Sequence, residues 1–285
     1  MVSHKDKNTH KHLSEYWTKL DKRVLKVIND KIIAYKNEIE LSLELEGYGD
    51  RDIGESIKWL SQKAPVIYLG TKIVKIRNTD YTFYFFRKKK TELINLVLNK
   101  KIKILTQYGK KSEKFGIWVN NEFYPRVLNN VGFIIEGIST NNYNLIKIEG
   151  DFDIITSGIE NCKAKIFIDV KNRLTVYRND DLFKFFNNLN KFNFEIIPIV
   201  IARKIYEDPK ESLKKYKGEF IEMRKIIIQQ KYKEVSGNFN DEIANVSRVI
   251  PDRLIPPDII KQFQRLSKLK DGINFNKLYR KMGSF

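Results

Sequence analysis

The chain has 285 residues, 42% of them hydrophobic, enough for a true core in one large domain or two smaller ones. Its formal net charge of +18 attracts a polyanion, nucleic acid ahead of an acidic membrane surface. No apolar run is long enough to cross a bilayer and no signal-peptide pattern is present, so the expectation is a soluble, intracellular protein with no membrane partner. The lone Cys162 excludes an internal disulfide and a four-cysteine iron–sulfur cluster.

The N-terminal dozen residues read as a polar tail that holds all three histidines, His4, His10 and His12. With no histidine after residue 12, Ser-His-Asp and Cys-His catalysis and His-zinc sites are not expected in the body of the chain. Leu13, Trp17, Leu20, Val24 and Ile28 recur at helical spacing, which predicts a long helix to about Leu45, stopped by Gly47 and Gly49. It is a structural or a dimerising helix, and a homodimer stays open on that ground. A short helix over 53–62 follows, then strands over 66–76 and 81–86 joined by the turn residues Arg77-Asn78-Thr79-Asp80. The second strand, Tyr-Thr-Phe-Tyr-Phe-Phe, runs into Arg87-Lys88-Lys89-Lys90. That is either a base-stacking surface or, as is commoner, a core strand with a solvated basic end. A helix over 91–101 leads to the basic, glycine-broken stretch 108–114, read as a domain boundary.

A helix capped by Asn121, with Pro125 in its first turn, is predicted to close at Gly132, where Phe133-Ile134-Ile135 opens a strand. The stretch 148–173 carries the chemistry. At period two, Ile148, Phe152 and Ile154 share one face and Glu149, Asp151 and Asp153 the other. After a turn at Gly158, Ile166, Ile168 and Val170 fall on one face, with Asp169 and Lys171 opposite. Carboxylates from adjacent strands repel when brought together, and a divalent cation makes such a pair tolerable. Asp180 or Asp181 caps the next helix, and Glu195–Ala202 reads as a buried strand. From Pro209 onward the pattern reads as helices over 210–233, 241–249 and 257–269, rich in Lys and Arg.

Asp153 in the run Gly150-Asp151-Phe152-Asp153-Ile154-Ile155, followed by the strand Phe167-Ile168-Asp169-Val170-Lys171, resembles the PD-(D/E)xK nuclease core of restriction-type endonucleases and archaeal Holliday-junction resolvases. The resemblance covers about residues 116–206, and Phe152 stands where the motif's proline would be. Asp208-Pro209-Lys210 fits the same acid-x-Lys expression, but its proline denies it a central strand. The resemblance implies a mixed α/β (α+β) fold with a restriction-endonuclease-like core of helix, three strands, helix, strand. The expected divisions are a basic α+β region over 1–110, the core over 111–206 and a basic helical region over 207–285.

It further implies a metal-dependent endonuclease acting on DNA, with RNA or branched DNA left open. Asp153 and Asp169 would bind Mg²⁺ or Mn²⁺, helped by the Val170 carbonyl and by Glu122 on the core helix, while Lys171 would orient water or stabilise charge. Asp151 is the alternative to Asp153, and Glu136 or Glu113 to Glu122. Two other readings stand beside this one: a non-catalytic nucleic-acid-binding protein on a nuclease-like scaffold, and an assembly protein with an incidental basic surface. For Lys171 itself the alternative is a salt bridge to Asp169, with no metal bound.

Overall fold

A computed structural model describes residues 4–44, 46–62, 69–157, 162 and 164–277. The chain is a mixed α and β protein of two compact units, one of residues 1–109 with 237–245, the other of 110–236 with 246–285. The boundary lies inside a continuous helix, α4 (Thr91–Trp118), because Gly109 and its basic neighbours keep the helical hydrogen bonds.

In the first unit, helix α1 (His4–Asp30) starts within the stretch read as a tail. It stops well short of Leu45, at a turn in which Ile32 adopts a φ of +64°. Strand β1 (Ile33–Tyr35) and helix α2 (Lys36–Glu44) take the remainder of the expected helix. Helix α3 (Asp50–Gln62) and the hairpin β2 (Leu69–Ile76) and β3 (Thr79–Phe86) follow. Residues 66–68 of the expected strand lie outside the described residues. The hairpin turn is tighter than read, with Ile76 opposite Thr79 and a φ of +56° at Arg77. Strand β3 is central in the order β1-β3-β2, and Phe83 on it is fully buried, so its aromatics serve the core. A buried ion pair, Lys101 Nζ to Glu38 Oε1 at 2.6 Å, is completed by a bond from Lys101 to the Ile33 carbonyl.

The second unit is built on a five-stranded sheet of order β4-β5-β6-β7-β8. Its strands are β4 (Ile134–Tyr143), β5 (Ile146–Ser157), β6 (Lys165–Lys171), β7 (Ile196–Ala202) and β8 (Glu219–Glu222). β4 to β6 pair antiparallel, and β6 to β8 parallel. Before β4 stands helix α5 (Tyr124–Asn130), closed at Gly132 with a φ of +96°, and between β6 and β7 stands α6 (Asn179–Leu189). From α5 to β7 the order is therefore helix, three strands, helix, strand. The turn expected at Gly158 lies outside the described residues.

The centre of the sheet, β6 and β7, is buried on both faces. Ile154, Ile166, Ile168, Ile197 and Ile199 pack with Phe123 and Leu128 on one side. Phe152, Phe167 and Val200 pack with Leu182, Phe185 and Leu189 of α6 on the other. The near-continuous burial along β6 and β7 is what strands with two covered faces require.

The C-terminal stretch is not the helical region expected. Helix α7 (Glu207–Lys215) ends before Gly218, β8 joins the main sheet, and β9 (Ile226–Gln229) pairs parallel with β10 (Ser247–Ile250). Helix α8 (Lys233–Glu242) follows β9 in the chain, and Ile259 and Phe263 of α9 (Pro257–Gln264) share a core with Ile227 and Ile250. Ile226-Ile227-Ile228 is a short, wholly buried apolar run, the pattern of a buried strand that helical spacing mimics. Gly218 has no room for a side chain, since a Cβ there would lie 2.6 Å from the Pro198 carbonyl oxygen. Among the described residues no helix is long and apolar enough to cross a membrane.

Candidate active site

The ladder between β5 and β6 ends at Ile154 opposite Ile168, and Asp153 and Asp169 are the next residue of each strand beyond that last pair. On β6 the alternation is as the sequence implies, with Ile166, Ile168 and Val170 in one core and Phe167 in the other. On β5 it is not. Ile148 and Phe152 pack with α6, Ile154 packs on the opposite side, and Ile155 is back with α6. The β4–β5 register is unbroken from Ile154 opposite Ile138 to Phe152 opposite Thr140, and it shifts between Phe152 and Lys147, where Gly150 takes a φ of +76°.

Continuation of the antiparallel register sets Asp153 beside Asp169, in a cleft walled by β5, β6 and α6. Lys171 Nζ binds Asp169 Oδ1 and stands 3.6 Å from Asp153 Oδ2. Asp153 Oδ2 also accepts the Val170 amide at 2.7 Å, and its Oδ1 accepts Asn120 Nδ2 at 2.7 Å. Asp169 Oδ2 accepts the hydroxyl of the fully buried Tyr177 at 2.8 Å. All four carboxylate oxygens are thereby oriented.

Burial pushes the Asp153 carboxyl up to about 7; Lys171 opposes this, and the Asp169 charge adds to it. Burial pulls the Lys171 ammonium down, but Asp169 and Asp153 more than offset it and hold it above its ordinary value. Tyr177 is pushed up by burial and by Asp169, so its proton stays on the hydroxyl.

The structure thus brings Asp153, Asp169 and Lys171 together, with Asp151 exposed on the same cleft. It does not bring Glu122 to them. Glu122 is exposed and lines no part of the cleft, as is true of Glu113, while Glu136 is taken by Lys165, Ser157 and Tyr143 on the strand surface. The Val170 backbone enters through its amide, which holds Asp153.

The residue missed is Asn120. Asn121 is no N-cap, because α4 passes into a π-turn at Val119–Phe123 and then into α5. Tyr124 N–H donates to the Val119 carbonyl, an i to i−5 bond. A π-turn widens the helix just where Pro125 would clash with the carbonyl of Asn121 in an α-helix. It also aims Asn120 at Asp153. The only sequence signal was Pro125 inside a pattern that continues helically on both sides.

Among the described residues no group of three or more His, Cys, Asp or Glu converges as a metal cage. Two carboxylates that share Lys171 still suit Mg²⁺, which binds through one or two carboxylates and keeps several waters. The Asp153 carboxyl, raised first by burial and further by the Asp169 charge, is the group a cation would relieve.

No protein-family model matches the chain, and no curated protein matches it. A solved structure that does match is the crystal structure of a repair endonuclease from Pyrococcus abyssi, 14% identical, with a TM-score of 0.28. The match covers 54% of this chain and 65% of that one, so the chain spans less than two thirds of that structure. At that TM-score the likeness carries no argument about activity.

Proposed function

We propose that this chain hydrolyses phosphodiester bonds in DNA, with Mg²⁺ or Mn²⁺ held by Asp153 and Asp169, on a core of the restriction-endonuclease-like kind. The observation that carries the reading is Lys171 between two carboxylates at the end of the β5–β6 ladder. A bound divalent cation supplies neutralisation of the phosphate's charge and a more acidic water.

The chain's own groups do the remainder. Asn120 and the Val170 amide fix Asp153, and Tyr177 fixes Asp169, so both carboxylates are pre-set. Lys171 Nζ, shared by the two acids, is placed to hold a water or to stabilise negative charge on the reacting phosphate. The net charge of +18 draws the polyanion to the protein.

A second reading has its own observation. Lys171 already pairs with both acids and, among the described residues, no third acid joins them as a metal cage, which suits a nucleic-acid-binding protein with a structural salt bridge. Incubation with plasmid, single-stranded and branched DNA separates the two. Cleavage in Mg²⁺ or Mn²⁺ that EDTA stops supports the nuclease, and binding without cleavage under all conditions supports the scaffold.

A further inference from the structure

Helix α6 presents Asp181, Lys184 and Asn188 to the cleft, a stripe spaced as one face of a helix. The two outer members are occupied in fastening the helix to its surroundings. Asp181 Oδ2 accepts Arg173 Nη2 at 2.6 Å and the Arg178 amide at 3.1 Å. Asn188 Nδ2 donates to the Glu149 carbonyl at 2.9 Å, tying the helix to β5. The middle member, Lys184, has no hydrogen bond or ion pair among the described residues.

That freedom stands out against the surroundings. The cleft is lined by the carboxylates of Glu149, Asp151, Asp153, Asp169 and Asp181, and its other lining cation, Lys171, is bound to two of them. Lys184 is exposed and pairs with none of these acids, although it lines the same cleft. An ammonium on a four-carbon stem, held at its base by a helix pinned on both sides, can reach a ligand that enters the cleft.

We propose that Lys184 is a phosphate-binding residue of this cleft, which contacts a backbone phosphate of the nucleic-acid strand whose neighbouring phosphate meets Asp153 and Asp169. The assignment rests on the nuclease reading for the identity of the ligand, but it is measurable without cleavage. The ligand chemistry is a phosphodiester, from a duplex or from a single strand, and the two sources give different salt slopes.

The test is binding of labelled duplex and single-stranded oligonucleotides to the full chain in Ca²⁺, with the DNA verified intact and salt varied. Wild type, Lys184→Ala, Lys184→Glu and Lys184→Arg are compared, with thermal melts confirming that each is folded. Loss of one phosphate contact lowers the slope of log K against log salt by about 0.9 for duplex or about 0.7 for a single strand. Lys184→Ala is expected to show that loss and Lys184→Glu to bind more weakly still, while Lys184→Arg keeps the wild-type slope. A wild-type slope in Lys184→Ala, or no binding by wild type, overturns the assignment. A reduced slope in a protein that cuts no DNA leaves the phosphate contact standing and sinks the nuclease reading alone. Metal-dependent cutting with an unchanged slope does the reverse.

Discussion

Asn120 Nδ2 lies 2.7 Å from Asp153 Oδ1, while the other end of the same amide, Asn120 Oδ1, is buried with no hydrogen-bond partner. An orphaned buried acceptor costs roughly 1–3 kcal/mol, and the π-turn that creates it is itself unfavourable relative to plain helix. Both are retained at the one place where the helix meets the carboxylate pair.

Replacing Asn120 by Ala is therefore expected to lower cleavage by about 10- to 100-fold, the usual effect of removing a group that orients a metal-binding carboxylate. Glu122→Ala, two residues away and exposed, is expected to leave the rate within about twofold. Initial rates on one DNA substrate settle the matter. Equal losses in the two variants would show that the turn, rather than the Asn120 contact, is what counts.

Asp153 gives the metal-free protein a pH dependence. Its folded-state value of about 7 exceeds that of an unfolded aspartate, near 3.9. Between about pH 4 and pH 7 the folded protein holds a proton that the unfolded chain has released. This group's contribution makes stability fall as pH rises through that window, by up to about 1.4 kcal/mol per pH unit, then levels off. Urea melts in EDTA across that range should show the fall in wild type and a shallower one in Asp153→Asn. Parallel curves for the two proteins would place the titration elsewhere.

The buried Glu38–Lys101 pair should behave as a structural unit in the first unit of the chain. Burial raises Glu38 and lowers Lys101, so each depends on the other to stay charged. Lys101→Met alone is expected to destabilise by about 3–5 kcal/mol, because it strands a buried carboxylate. Adding Glu38→Leu should recover a large part of that loss. Chemical denaturation of Lys101→Met, Glu38→Leu and the double variant reads this directly. Simple addition of the two losses would mean the pair is not coupled.

Much of the central region could be read from the sequence. The β-branched alternation of 166–170, the closure of a helix at Gly132 and the buried run 196–202 each carry a local signal that tertiary packing does not overturn. Asp153, Asp169 and Lys171 were recoverable because strands put their side chains at fixed intervals. What escaped depends on contacts between distant segments. Asn120 reaches Asp153 only because a π-turn rotates it, and spacing rules assume a uniform helix. The Ile226–Gln229 strand finds its partner at 247–250, and such a pairing leaves no mark within either segment. The long N-terminal helix was overextended because its apolar spacing continues through Ile32, where only the backbone's positive φ ends it.

Cleavage of one DNA substrate in Mg²⁺ by wild type, Asp169→Ala and Lys171→Ala, each shown by thermal melting to be folded, tests the central claim most directly. The account predicts cutting by wild type alone, with both variants slower by a factor of about a thousand or more. Wild-type cutting by either variant would contradict it and move the chemistry away from the end of the β5–β6 ladder.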